Sequence, residues 1–330
     1  MAGPRRALIT GASGQDGHYL ARHLIEQGKE VLGVSRRLPR EPVGRNVILD
    51  LGQHAELRAL LAEFAPDELY HLAAHNRSSA AVAGRGAPDG SGSAAVSSEA
   101  AREEDLYFFN NVEATRALLR TCVELLPRCR VFLAGSCHVF GDTQEFPQTE
   151  RTPVRPNSVY GITKATSLWL GRYFRENLGL FCATGILYNH ESPLRSPSFV
   201  TGRIARGVAQ IVRGETNVLV LGDLQARVDW GYAGDYVRAM ALLLEAEQPQ
   251  DFIIGSGALH RVGDFVAIAF AHVGLDWQKY VRESPAVHRP VAQAVYHGDI
   301  SAIRRLGWQP ELPFEDLVRQ MVDAQLDPSQ

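Results

Sequence analysis

Apolar residues come in short runs that alternate with amphipathic stretches over the first two-thirds of the chain. Ala7–Thr10 is a compact apolar run, followed by the glycine-rich Gly11–Gly17 and a helical pattern from His18 to Gln27. Glu30–Val34 and Asn46–Leu49 read as the second and third strands, Glu56–Phe64 as a helix, and Asp67–Ala74 (DELYHLAA) as a fourth strand reached through a turn at Pro66. Further on, Asn111–Leu126 reads as a helix and Arg130–Ala134 (RVFLA) as a strand. Apolar strands separated by helices predict βαβ units, and hence an α/β, doubly wound parallel sheet covered on both faces.

Two stretches break this rhythm. Residues 78–104 are rich in Ala, Gly and Ser, and an interruption that long is either a lid over a ligand or a tolerated insertion. From about Leu187 the chain becomes mixed: Asn189–Val200 (NHESPLRSPSFV) is polar and turn-rich, and a helix then runs to about Arg213. The expected organisation is a sheet domain over residues 1–186 and a smaller mixed C-terminal unit over 187–330, part of which returns to the first. No internal repeat or heptad pattern appears.

The loop after the first strand gives the sheet a purpose. Gly11, Gly14 and Gly17 stand between a strand and a helix in the order GxxGxxG. The first glycine makes the turn, the second lets the backbone approach a pyrophosphate at the helix N-terminus, and the third lets helix and strand pack closely. Placed between strand and helix, this spacing marks a Rossmann-type dinucleotide site. The second strand ends in Val34-Ser35-Arg36-Arg37, where an NAD enzyme carries an acid for the ribose 2′-hydroxyl. A guanidinium suits a 2′-phosphate instead, so NADP is the expected cofactor. Asp50 is placed either to touch adenine or to cap the next helix.

A second constellation supplies chemistry. In Ser158–Lys164 (SVYGITK), Tyr160 and Lys164 are four residues apart and share a helix face. A phenol with a reference pKa of about 10 is a poor base at neutral pH, and a neighbouring ammonium favours the phenolate. Ser136, just after the strand Arg130–Ala134, is the expected third member, bonding the reacting oxygen. Cys137 and His138 follow it. The imidazole titrates near neutrality and suits general acid–base work; the thiol is either an assisting acid or a packing residue.

TGASGQDG, LYHLAAHN, SVYGITK, LYNHESP and VDWGYAGDYVRAM together resemble the GDP-mannose 4,6-dehydratase branch of the extended short-chain dehydrogenases/reductases, from about Leu8 to Val322. The resemblance implies a lyase that oxidises C4 of a nucleotide-sugar, removes the C5 proton and expels the C6 hydroxyl. It further implies cofactor contacts from Ser13, Gln15, Asp16, Leu51 and Leu72, from Ala73 and Ala74, and from Leu187, Asn189 and His190. Substrate contacts are implied for His75, Asn76, Asn189, Val200 and Arg203, and for Leu221, Gly222, Arg227 and Arg289.

The chain departs from this pattern at His138, where the branch carries a glutamate base. Either the imidazole takes over as base, or dehydration is abandoned for epimerisation or 4-keto reduction on the same frame. The product of a dehydration is a 4-keto-6-deoxy or a 5,6-unsaturated sugar. A non-catalytic NADP-binding protein is a third reading, opposed by the intact Ser136, Tyr160 and Lys164. The pattern RPxE becomes Arg289-Pro290-Val291-Ala292, which bears on GDP specificity. The short LPREPVGRN loop favours a homodimer, through the helices around Tyr160 and Asn111–Leu126, over a tetramer.

Composition removes other classes. Thirty-four basic and 37 acidic residues give a net charge of -3, which argues against a nucleic-acid footprint. No apolar run approaches the about 20 residues of a membrane span. Four cysteines without a CxxC pair predict reduced thiols, no metal site, and a cytoplasmic location.

Overall fold

The computed structural model describes residues 3–76, 98–284 and 295–327, with side chains from 101 onward in the helix that begins at Ser98. Its centre is a seven-stranded parallel sheet in the order β3-β2-β1-β4-β5-β6-β11. The strands are β1 (Arg6–Thr10), β2 (Glu30–Ser35), β3 (Arg45–Ile48), β4 (Glu68–His71), β5 (Arg130–Ala134), β6 (Cys182–Leu187) and β11 (Asp251–Ile254). The direction of winding reverses between β1 and β4, which opens a crevice at the carboxyl edge of the sheet.

The two-residue period of a strand sorts side chains between two cores. Ala7 and Ile9 of β1 point to a core shared with Leu20 and Leu24 of α1 (Gln15–Glu26) and with Tyr236–Leu244 of a later helix. Leu8 points the other way, toward Leu57 and Leu61 of α2 (His54–Phe64) and Leu118 and Leu119. Both faces of β1 are buried over Ala7–Ile9, and these three residues are apolar without interruption.

A third core stands apart from the sheet. It joins the helices Val200–Val212, Val262–His272 and Phe314–Leu326 around Trp230, Phe265, Val318 and Met321. The strand β11, although late in sequence, lies in the main sheet beside β6.

Several boundaries differ from the sequence expectation. The first helix begins at Gln15 rather than His18, because Gly14 is its N-cap. The fourth strand stops at His71, and Leu72–Asn76 continue as irregular chain above the glycine loop. The helix expected from Asn111 begins at α3 (Ser98–Phe108), passes through a five-residue π-helical turn, Phe109–Glu113, and continues as α4 (Ala114–Leu125). Residues 98–104 of the expected interruption are therefore helical, and 78–97 lie outside the described residues. The polar stretch after Tyr188 contains β7 (Asn189–Glu191), paired with β10 (Trp230–Tyr232).

All four cysteines are buried and unpaired. Among the described residues, no helix is long and apolar enough to cross a membrane, and no group of His, Cys, Asp and Glu has the arrangement of a metal site.

Candidate active site

The carboxyl ends of β1, β4, β5 and β6 bring four short segments to one edge. The glycine loop comes first. Gly11 adopts φ +77°, and a Cβ there would stand 2.8 Å from the backbone nitrogen of Ala73. A Cβ on Gly17 would stand 2.6 Å from Gly11 O and Ala12 Cα. These two glycines are required by turn and packing. Gly14 is exposed, and α1 has no side-chain cap, so its first N–H groups are open to an anion.

The other side of this loop is tied to the segment after β6. Gln15 donates to His190 O at 3.1 Å and accepts from Ser192 Oγ at 2.7 Å. Asp16 and His190 form an ion pair at 2.9 Å, and the other imidazole nitrogen reaches Tyr188 O at 2.7 Å. Burial works against both charges, but their attraction and hydrogen bond prevail. The Asp16 carboxyl sits below its ordinary value and the His190 imidazole above.

Ser136 stands at the end of β5 as N-cap of a 3₁₀ turn, Cys137–Phe140, its Oγ accepting from His138 N at 3.3 Å. The helix α5 (Val159–Leu178) starts beside this turn because Gly161 has no side chain: a Cβ there would be 2.6 Å from His138 O. Ser158 caps the helix, accepting from Gly161 N at 3.1 Å. Tyr160 and Lys164 consequently face Ser136. Lys164 Nζ donates to Ala134 O at 2.8 Å and lies 5.8 Å from the centre of the Tyr160 ring. Burial pulls the ammonium down to about 8, partly opposed by Asp16. Burial pushes the Tyr160 phenol up, against the hydrogen bond from Ser136. The charge of Arg195 also works against that rise.

The His138 ring lies 5.6 Å from Tyr160, edge to face at 75°. Cys137 is packed in the main core beside Ser136, only 2% exposed, and burial raises its thiol to about 12.

Asn111 was not singled out by the sequence, yet it organises the floor. Its carbonyl oxygen, within the π turn, accepts from Thr115 Oγ1 and Ser167 Oγ, each at 2.7 Å. Its side chain grips His75 from both ends, accepting from N at 2.6 Å and donating to O at 3.0 Å, and also reaches Thr163 on α5. Below it, the buried His71 bridges Thr10 Oγ1 (2.8 Å) and Thr115 Oγ1 (2.9 Å). Because Thr115 donates to Asn111 O, it accepts from His71 Nε2–H, and Nδ1 accepts from Thr10.

Burial, helped by Lys164, depresses His71 to about 3. The unfolded chain therefore takes up a proton below about 6.5 that the folded chain refuses. Stability held above that pH is lost as pH falls toward 3. At pH 5 this single histidine should account for about 2 kcal/mol of acid destabilisation. His71→Gln should unfold at a lower temperature than the parent at pH 7, and the gap should narrow by pH 5. A constant gap in thermal melts would remove His71 as the cause.

The remaining expected residues fall into two groups. Arg36 and Arg37 are exposed at the end of β2, against the glycine loop, whose Gly11 N donates to Val34 O at 2.8 Å. Asp50 does not cap α2, whose N-cap is Gln53; it closes a turn by accepting from Gly52 N at 2.9 Å. Leu51 follows it, and Leu187 ends β6. Ala74 and Asn76 are exposed beyond β4, and the His75 ring meets Tyr107 at 4.6 Å. The substrate candidates Val200 and Arg203 share a face of the helix Val200–Val212, Leu221 ends β8 (Leu219–Leu221) ahead of Gly222, and Arg227 is exposed on β9 (Arg227–Val228). These stand on the third core. Arg289 lies outside the described residues. Arg195, also missed, forms an ion pair with the buried Glu191 at 2.8 Å, and its charge reaches Asp16, His190 and Tyr160.

The family model "GDP-mannose 4,6 dehydratase" matches residues 94–321, and the "NAD dependent epimerase/dehydratase family" model matches residues 7–86. The chain is 37% identical to GDP-mannose 4,6 dehydratase 1 of Arabidopsis thaliana, over 98% of this chain and 91% of the relative. It belongs to the GDP-mannose 4,6-dehydratase family. Two solved structures share its fold. UDP-glucose 4-epimerase from Thermus thermophilus, in complex with NAD, superimposes with a TM-score of 0.80 at 20% identity, covering 97% of this chain and 98% of that one. RMD from Pseudomonas aeruginosa, complexed with NADPH, gives 0.80 at 20%, covering 98% and 99%. Within this family the VDWGYAGDYV stretch is architectural in this chain. Asp229 accepts from Ser256 and Gly257, Trp230 packs on Phe265 and Phe314, and Asp235 accepts from the backbone of Glu311 and Leu312.

Proposed function

We propose that the chain is a cytoplasmic, NADP-dependent dehydratase of a nucleotide-sugar, with a GDP-sugar as substrate. The observation that carries this is the placing of Tyr160 between Lys164 and His138 at the sheet's carboxyl edge, beside the open helix N-terminus at Gly14. The glycine cradle fits a dinucleotide: Gly11 and Gly17 leave no room for a side chain, and Gly14 leaves the amides open. Arg36 and Arg37 would hold the 2′-phosphate and Lys164 the nicotinamide ribose.

A nicotinamide held in this cradle would supply the hydride acceptor for C4 and the hydride donor for C6. Tyr160, as phenolate, takes the proton from the C4 hydroxyl, while Ser136 bonds that oxygen and Lys164 steadies the charge. His138 takes the C5 proton, which leaves with the C6 hydroxyl as water. C5 then regains a proton, balanced by the one Tyr160 removed. The sugar loses one water and becomes a 4-keto-6-deoxy sugar; re-reduction at C4 instead leaves a 5,6-alkene. Cys137, buried in the main core beside Ser136 with its thiol raised, is a packing residue rather than an assisting acid. An epimerase on the same frame is the second reading, favoured by the hydride machinery common to both and requiring no base at C5.

We assign the substrate's diphosphate to Arg203 and Arg227, with Arg195 turned toward the cofactor side. The division at residue 186 fits the separate third core, with β11 as the returning element. A homodimer would bury the exposed stripe Ile162, Trp169 and Tyr173 on α5, beside Leu106 and Phe109. Conversion of GDP-mannose with loss of water tests the activity.

The cofactor preference has its own test. Replacing Arg36 and Arg37 with Ala should weaken NADP at least about 10-fold more than NAD, since a charge-assisted hydrogen bond is worth about 1.5–3 kcal/mol. Equal losses in a binding titration would leave the choice of NADP unsupported.

A further inference from the structure

The segment Val295–Asp299 returns across the catalytic turn, and one fully buried side chain holds it there. Gln148 Nε2 donates to the carbonyls of Glu145 (2.8 Å) and Val295 (3.2 Å). Its Oε1 accepts from His297 N (2.7 Å) and the Tyr188 hydroxyl (2.9 Å). Its backbone donates to His297 O (2.8 Å) and accepts from Asp299 N (2.7 Å). Gly298 completes the stitch, since a Cβ there would stand 2.6 Å from Ile253 Cγ2. Tyr296 is therefore gripped on both sides in sequence. Its ring lies 5.1 Å from His138, inclined at 47°. With Tyr160 at 5.6 Å, the imidazole sits between two phenol rings carried by elements far apart in the chain.

We infer that Tyr296 is a positioning residue for the proton transfer at C5: its ring, clamped by Gln148, confines the His138 imidazole beside Tyr160. This rests on the reading of His138 as the C5 base. The physical reason is the sensitivity of proton transfer to distance. An imidazole on a short 3₁₀ turn has alternative rotamers, and a flat ring against it removes them before substrate arrives. The face of a phenol also suits the imidazolium formed once the proton has been taken. Both effects belong to the ring and neither to the hydroxyl.

The test uses the full chain with cofactor bound and GDP-mannose in deuterated water. In Tyr296→Leu, deuterium should enter C5 at least about 10-fold more slowly, with KM changed less than about two-fold, because a misplacement near 1 Å costs up to about 100-fold in rate. Reduced cofactor should build up, since oxidation at C4 is untouched, and cofactor affinity measured by fluorescence should match the parent. Tyr296→Phe, which keeps the ring, should recover most of the lost rate. Tyr296→Met, which fills the space without a flat face, should behave like Leu, and covers the case in which Leu loosens the fold. A Leu or Met variant with parental C5 exchange, or a Phe variant as slow as Leu, overturns the inference. A His138→Gln control separates the two claims. Normal exchange there removes the base and the inference together, whereas blocked exchange there with parental exchange in Tyr296→Leu removes the positioning role alone.

Discussion

Tyr160→Phe lowers turnover at least about 100-fold, the lower end of what general acid–base catalysis contributes. The substitution keeps the ring that packs at 6.3 Å from Tyr107 and 5.6 Å from His138, so the walls of the crevice stay in place. What is lost is the oxygen that Ser136 bonds. Because that oxygen moves the C4 hydroxyl proton, the failure comes at the first step and no reduced cofactor accumulates. Steady-state kinetics together with absorbance of the reduced nicotinamide check both parts. A Phe variant with near-parental turnover, or one that still accumulates reduced cofactor at the parental rate, would refute the assignment.

His138→Ala fails one step later. Ser136, Tyr160 and Lys164 remain, so C4 is still oxidised and reduced cofactor builds up on the enzyme. Deuterium no longer enters C5 and no water is lost, and overall turnover falls about 100-fold or more. His138→Gln separates the base from the packing group, because the amide fills similar space but cannot accept a proton at neutral pH. Loss of exchange in both variants supports the base. Retention in both would move the chemistry to one without C5 deprotonation, namely epimerisation or 4-keto reduction.

The contrast between these two residues shows what the sequence made legible. The alternation of strands and helices and the GxxGxxG loop are local patterns, and they foretold a parallel sheet with the crevice at its carboxyl edge. Tyr160 and Lys164 lie one helical turn apart, so their pairing was local too. Asn111 and Gln148 act over long separations, gripping His75 and the Val295–Asp299 segment, and nothing in their neighbours' spacing announces it. The π turn at Phe109–Glu113 hid Asn111 further, because a five-residue turn shifts the helical face by one position. Tyr296 escaped for the same reason: its partner His138 is brought to it only by the fold. Conversely, the most distinctive stretch, VDWGYAGDYV, identified the family while its side chains serve the architecture.

The central claim is that this chain removes water from a nucleotide-sugar by way of a C4 ketone. The most direct measurement is the mass of the product formed from GDP-mannose by the purified chain with NADP in deuterated water. The account predicts the loss of one water, with one deuterium gained at C5 of a 4-keto-6-deoxy product or none at the C5 of a 5,6-alkene. A product of unchanged sugar composition would show an epimerase, and a keto-sugar reduced only when NADPH is added would show a reductase; either contradicts the dehydratase assignment.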